Sequence, residues 1–209
     1  MSKVIRERTI IYAARFVSIL FTPFYLPLLG LILLFTFSYL ALLPVAYRLQ
    51  ILALVYLFTV LLPTYLIHFY RRHQGWSLIE LGQRERRMVP YAISIVCYLS
   101  CVWVLQWLNV FHFVSSILIA SLLVQIVCAT INAWWKISTH TAAIGGVAGA
   151  LFSFAEIFGF NPVWWFCVVL FVAGLLGSAR MILRQHSLAQ VVAGFFVGFA
   201  CATTAFLLF

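Results

Sequence analysis

The sequence predicts an all-α protein, a polytopic bundle of about seven transmembrane helices, with six possible if one segment is re-entrant. Three observations predict it. Of 209 residues, 66% are hydrophobic and 8% charged, where a water-soluble domain has about 25% charged. Seven apolar segments reach or approach the roughly 20 residues that a helix needs to cross the hydrocarbon core. The basic residues gather at the ends of those segments, as they do around membrane spans.

The segments lie at about 16–43, 49–70, 90–107, 111–132, 139–158, 162–179 and 188–208. Pro23 and Pro27 are expected to kink the first. The third is short, which keeps the six-span alternative open. Basic residues precede the first apolar run and no small-residue cleavage site follows, so this run reads as an uncleaved span. No soluble linker or repeat interrupts the chain, and residues 1–209 read as a single membrane domain.

Seven spans put twelve of the 13 basic residues on one side and Arg48 alone on the other. By the positive-inside rule, the N-terminus and the loops near residues 71–87, 136 and 180–184 are then cytoplasmic. The same distribution accounts for the net charge of +9 without a nucleic-acid partner. The expected partner is the lipid bilayer.

The acidic residues narrow the chemistry. They are Glu7, Glu80, Glu85 and Glu156, and there is no Asp. Metal-assisted phosphoryl transfer ordinarily uses carboxylates to hold Mg²⁺, so neither metal nor cofactor is expected. Cys97, Cys101, Cys128, Cys167 and Cys201 all fall inside apolar segments without metal-ligand spacing, and Cys97 and Cys101, one helical turn apart, read as small buried residues.

Two short stretches carry candidate chemistry. Lys136, Ser138, Thr139 and His140 open the fifth span. Ser138 is placed to cap that helix, whose first-turn N–H groups favour an anion. Arg180 closes the sixth span, and His186 and Gln190 open the seventh. A spacing of four sets His186 and Gln190 on one helical face. The Gln carbonyl can take a hydrogen bond from one ring nitrogen and leave the other as a lone pair. Arg180 offers phosphate oxygens a fork that Lys does not. Because two spans separate the stretches, both histidines return to one side of the membrane. The bland reading of each stretch is an ordinary set of interfacial residues and helix caps.

Ser-x-His followed after two spans by Arg-x5-His resembles the type 2 phosphatidic acid phosphatase superfamily, over about residues 84–200. The resemblance implies a membrane lipid phosphatase, acting without metal through a phosphohistidine. It implies His186 as nucleophile, His140 as general acid, and Arg180, Lys136, Ser138 and Thr139 as phosphate binders. Its substrate would be a lipid-linked phosphate or diphosphate, such as polyprenyl diphosphate, phosphatidic acid or phosphatidylglycerol phosphate. The chain departs from the family in four places. Thr139 stands where Gly is usual, and Ala179 where Ser is usual. The first motif is reduced to the stretch from Arg84 to Pro90, with Arg87 its candidate phosphate binder. Gln190 replaces the Asp that normally follows the second His by four; dolichyl-diphosphate phosphatases resemble this chain in carrying Gln there. Two other readings stay open: phosphotransfer to another acceptor, and a catalytically silent protein that binds or moves lipid.

Gly145-x-x-x-Gly149 and Gly194-x-x-x-Gly198 are expected to let the two motif-bearing spans pack closely. His68 reads as a satisfied interfacial histidine and His112 as remote. Trp76, Leu78, Ile79 and Leu81 suggest a short interfacial helix. Trp134, Trp135, Trp164 and Trp165 read as interface-belt aromatics.

Overall fold

The computed structural model describes residues 2–37, 39–76, 80, 83 and 85–208, the side chains of residues 2–7, 33, 37 and 39 excepted. The described residues form helices joined by short turns, with no strand among them. Helix α1 is Ser2–Leu20 and α2 is Leu26–Phe37, followed by a 3₁₀ turn at Tyr39–Leu42. Val45–Tyr56 (α3) continues through a π turn, Leu57–Leu61, into Leu62–His73 (α4). The remaining helices are Met88–Trp107 (α5), His112–Asn132 (α6), Thr139–Phe158 (α7), Val163–Ile182 (α8) and Leu188–Leu208 (α9).

Among the described residues, six helices are long and apolar enough to cross a membrane: the continuous α3–α4 rod of 29 residues, and α5 to α9. The segment expected to be short or re-entrant runs from Glu85 to Trp107, 23 residues, so it needs no re-entrant turn. The first expected span, 16–43, is instead broken. Helix α1 stops at Leu20 and the chain turns through 21–25, around Pro23, before α2 begins. Pro27 is the second residue of α2, where its missing N–H would have had no helical partner; it starts a helix and does not kink one. The twelve residues of α2 measure about 18 Å, well short of a 30 Å core. The 3₁₀ turn extends the passage, so that Leu34, Phe35 and Leu40 join Ile51, Leu105 and Val114 in the larger core cluster.

The π turn has a local cause. Pro63 offers no N–H and its ring crowds the carbonyl four residues back, at the buried Thr59. The register widens there, while the Thr59 hydroxyl donates to the Val55 carbonyl at 2.8 Å.

The tightest packing is between α7 and α9. A Cβ at Gly145 would run into the Phe195 carbonyl, one at Gly149 into the Phe199 carbonyl, and one at Gly198 into the Ala142 carbonyl. Both small-residue motifs therefore do what their spacing implies: they bring the two site-bearing helices to backbone contact. Four of the five cysteines are buried, Cys167 is exposed, and all are free thiols. Of the expected interfacial helix after α4, Leu78, Ile79 and Leu81 lie outside the described residues. Trp76 meets Tyr70 edge-on at 5.7 Å, with the Arg86 guanidinium 4.6 Å above its ring.

Candidate active site

Both histidine motifs and the start of α5 come to one end of the bundle. Ser138 caps α7 as expected: its Oγ accepts from the Thr141 N–H at 3.4 Å, and the residue is fully buried. Its own N–H donates to the Gln190 carbonyl at 3.4 Å, which stitches the first motif to the second. Gly194 completes the seam, since a Cβ there would meet the Ser138 carbonyl and the Thr141 hydroxyl.

Between Arg180 and His186 the chain reverses sharply. The Arg184 N–H bonds the Met181 carbonyl at 2.9 Å and the Gln185 N–H bonds the Arg180 carbonyl at 3.1 Å. This is the paired bonding of a Schellman helix end. It requires a left-handed residue, and Arg184 takes that position at φ 53° although no glycine marks it. The turn returns His186 toward Arg180. Both side chains are buried, 7% and 5% exposed.

The His186 ring is held from its Nδ1 side. Gln190 Oε1 lies 3.1 Å from Nδ1 and also accepts the Ser187 backbone N–H at 3.2 Å. In return the Gln190 N–H donates to Ser187 Oγ at 3.4 Å. Ser187-x-x-Gln190 is thus a capping box at the start of α9. A backbone N–H can only donate, so the Gln190 atom that faces it is the carbonyl oxygen. The same oxygen faces Nδ1, which must therefore carry the ring proton. The lone pair is left on Nε2, which is buried and has no hydrogen-bond partner.

The cations surround the two rings. Arg87 ends the 3₁₀ turn that leads into α5, and its Nη1 is buried without a partner. The charges of Arg87 and Arg180 act on both His140 and His186, and Arg87 and Arg180 act on Lys136 as well. Burial first, then this repulsion from Arg87 and Arg180, lowers the Lys136 pKa. Burial, then Arg87 and Arg180, pushes the His186 pKa down to about 3, against a smaller upward pull from Gln190. The His186 ring is neutral at neutral pH. Arg87, Lys136, His140, Arg180 and His186 come from three separate stretches of chain, and each lies within electrostatic reach of others in the set. Thr139 and His140 line a cavity of about 700 Å³, together with Arg87 and Gln185. Lys136, Ser138, Arg180, His186 and Gln190 are not part of its lining.

Two residues escaped sequence reasoning. Ser18, on α1, accepts a hydrogen bond from Arg180 Nη1 at 2.7 Å, and its backbone hydrogen-bonds the His140 ring. Among residues 8–20 of α1, Ala14 and Ser18, one helical turn apart, are the buried positions of a helix that packs on α8. The other is Tyr91, buried, one turn below Arg87 and lining the cavity, with an unpartnered hydroxyl. By contrast, His68 Nδ1 pairs with Arg71 at 3.3 Å, and His112 begins α6 at the opposite end.

The sequence model of the PAP2 superfamily matches residues 129–209. The matched stretch takes in α7 to α9 and both histidine motifs, and stops short of Arg87 and α1–α5. No curated protein and no solved structure matches the chain. That match supports the resemblance drawn from Ser138-x-His140 and Arg180-x5-His186, and suggests a phosphatase acting on lipid phosphate in the bilayer.

Proposed function

We propose that this chain is a PAP2 superfamily member, an integral membrane lipid phosphatase that hydrolyses a lipid-linked phosphate or diphosphate through a phosphohistidine, without metal. The observation that carries the reading is the unpartnered, buried Nε2 of His186, whose lone pair is fixed by the Gln190 bond to Nδ1. His186 Nε2 attacks phosphorus and the P–O bond to the lipid breaks. His140 gives its proton to the departing oxygen. A water molecule, deprotonated by His140, then attacks the phosphohistidine, releases phosphate and restores both rings. Arg87, Lys136 and Arg180 neutralise the phosphoryl oxygens. Thr139 and Ser138, at the start of α7, add the helix N-terminus to that anion site. Among the described residues no three His, Cys, Asp or Glu side chains gather to hold a metal, and in this reading the three cations supply the positive charge that a metal otherwise would.

The test is phosphate release by the purified protein from a panel of lipid phosphates in excess chelator. Wild type should release phosphate and His186→Ala should release none. Activity lost to chelator and restored by Mg²⁺ would refute the metal-free mechanism. Lipid binding without any phosphate release would leave a silent binding protein on the same fold.

A further inference from the structure

The cavity that begins at His140 does not stop beneath it. On α7 its wall is formed by His140, Ala143, Val147, Ala150, Phe154 and Phe158, spaced three or four apart on one helical face. From His140 to Phe158 the helix rises about 27 Å. One leaflet of hydrocarbon is about 15 Å thick, half of a core of about 30 Å. The cavity therefore passes the bilayer midplane and ends among aromatics of the far side. There Phe154 meets Phe206 at 4.8 Å and Phe158 at 5.9 Å.

Its walls present carbon. The polar residues in its upper half are mostly spent within the protein: Ser94 Oγ donates to the Pro90 carbonyl at 2.9 Å, Ser121 Oγ to the Ile117 carbonyl at 2.8 Å, and Tyr98 pairs with Gln125. The free Tyr91 hydroxyl lies close under Arg87, where the first polar linkage below a phosphate would sit.

We infer that this cavity is a tail tunnel for a single hydrocarbon chain longer than one leaflet, and that Phe154, Phe158 and Phe206 at its far end set the length accepted. The inference rests on the phosphatase reading for the position of the head group. A two-tailed phospholipid confined to its leaflet would leave the distal half of the tunnel unfilled, forfeiting the contacts its aromatic lining offers. A longer chain fills it and gains those packing contacts along the distal half.

The experiment uses single-chain phosphate monoesters of graded length, from about one leaflet to about the full core. Wild type should favour the longest over the shortest by at least tenfold in kcat/KM. Ala150→Phe, which blocks the tunnel midway, should erase that ratio, and Phe154→Ala should move the optimum to longer chains. In parallel, a photoreactive group at the end of a long chain is bound to His186→Ala protein, which needs no turnover. Label should appear on peptides holding Phe154, Phe158 or Phe206. An unchanged length ratio in Ala150→Phe, or label only on outward residues such as Trp103 and Phe196, would overturn the tunnel. Distal labelling with no phosphate release from wild type would sink the phosphatase reading and leave the tunnel standing.

Discussion

Gln190 fixes the tautomer of His186 with an oxygen that is itself fixed by the backbone. Its Oε1 takes the Ser187 N–H at 3.2 Å and faces His186 Nδ1 at 3.1 Å. The family's usual Asp would orient the ring and stabilise its cation; Gln190 orients it alone. The same side chain also closes the capping box of α9, so helix start and ring orientation depend on one residue.

Those two duties separate by mutation. Ser187→Ala removes the hydroxyl that caps α9 and keeps the Gln190–His186 bond. It should cost about 1 kcal/mol of stability and leave most phosphate release intact. Gln190→Leu loses the bond to the ring as well, and kcat should fall by about 100-fold or more, in line with the loss of tautomer control in a histidine triad. Steady-state phosphate release, with thermal midpoints for both variants, distinguishes the outcomes. A Leu variant as active as Ser187→Ala would show that Gln190 has no part in the chemistry.

Ser18 braces Arg180 from α1 across 162 residues of sequence. A hydrogen bond to a charged group contributes about 1.5–3 kcal/mol, so Ser18→Ala should lower kcat/KM by roughly tenfold or more. Ser18→Thr keeps the hydroxyl and should recover most of the loss. Failure of Thr to rescue would mean that Ser18 serves packing of α1 alone.

What was legible follows from where each signal resides. The clustering of His140, Arg180 and His186 follows from span alternation, because two passes must bring the chain back to the same end. The α7–α9 seam is written in Gly145, Gly149, Gly194 and Gly198, since glycine at a spacing of four has few other uses in a membrane helix. Ser18 carried no such mark: one serine among exposed apolar residues looks the same whether or not an arginine meets it. Hydropathy also counted 16–43 as one span kinked at its prolines, because an apolar sum does not separate a kink from the break found around Pro23. The turn at Arg184 was hidden because its left-handed residue is not glycine. Ser187-x-x-Gln190 fits a capping box, but in the sequence Gln190 stood out only by its spacing to His186 and Ser187 went unmarked.

The seam itself makes a prediction. Gly198→Val would drive a side chain into the Ala142 carbonyl; backbone cannot yield as a flexible side chain can, so the variant should fail to fold or lose more than about 3 kcal/mol. Gly174→Ala, whose Cβ would meet nothing within 4 Å, should be neutral or gain up to about 1 kcal/mol from helix propensity. Thermal unfolding in detergent compares the two. Equal midpoints would mean that α7 and α9 are not in backbone contact.

The basic asymmetry makes another. With twelve of 13 basic residues at the site-bearing end or in its loops by the seven-span reading, that end should be cytoplasmic. Gln74→Cys and Gln185→Cys should both resist an impermeant thiol reagent in intact cells and react after permeabilisation. Labelling of both from outside would invert the orientation, and labelling of one alone would break the alternation of spans.

The last prediction concerns pH. Burial and the charges of Arg87 and Arg180 hold the His186 pKa at about 3, below the usual 6.5 or so. The nucleophile must be neutral, so the acidic limb of kcat/KM, which reports the free enzyme, should not show His186 titrating near pH 6.5. Arg87→Gln removes one of the two cations that most oppose protonation of the ring. The His186 pKa should then rise, and the limb should move to higher pH even as the loss of a phosphate ligand lowers the plateau. Gln190→Glu should act in the same direction by another route: it keeps the capping box, places a carboxylate on Nδ1, and stabilises the imidazolium. Both shifts are upward, whereas a purely structural defect would lower the whole profile without moving its limb. A pH–rate profile that stays in place in both variants would remove His186 from the role of nucleophile.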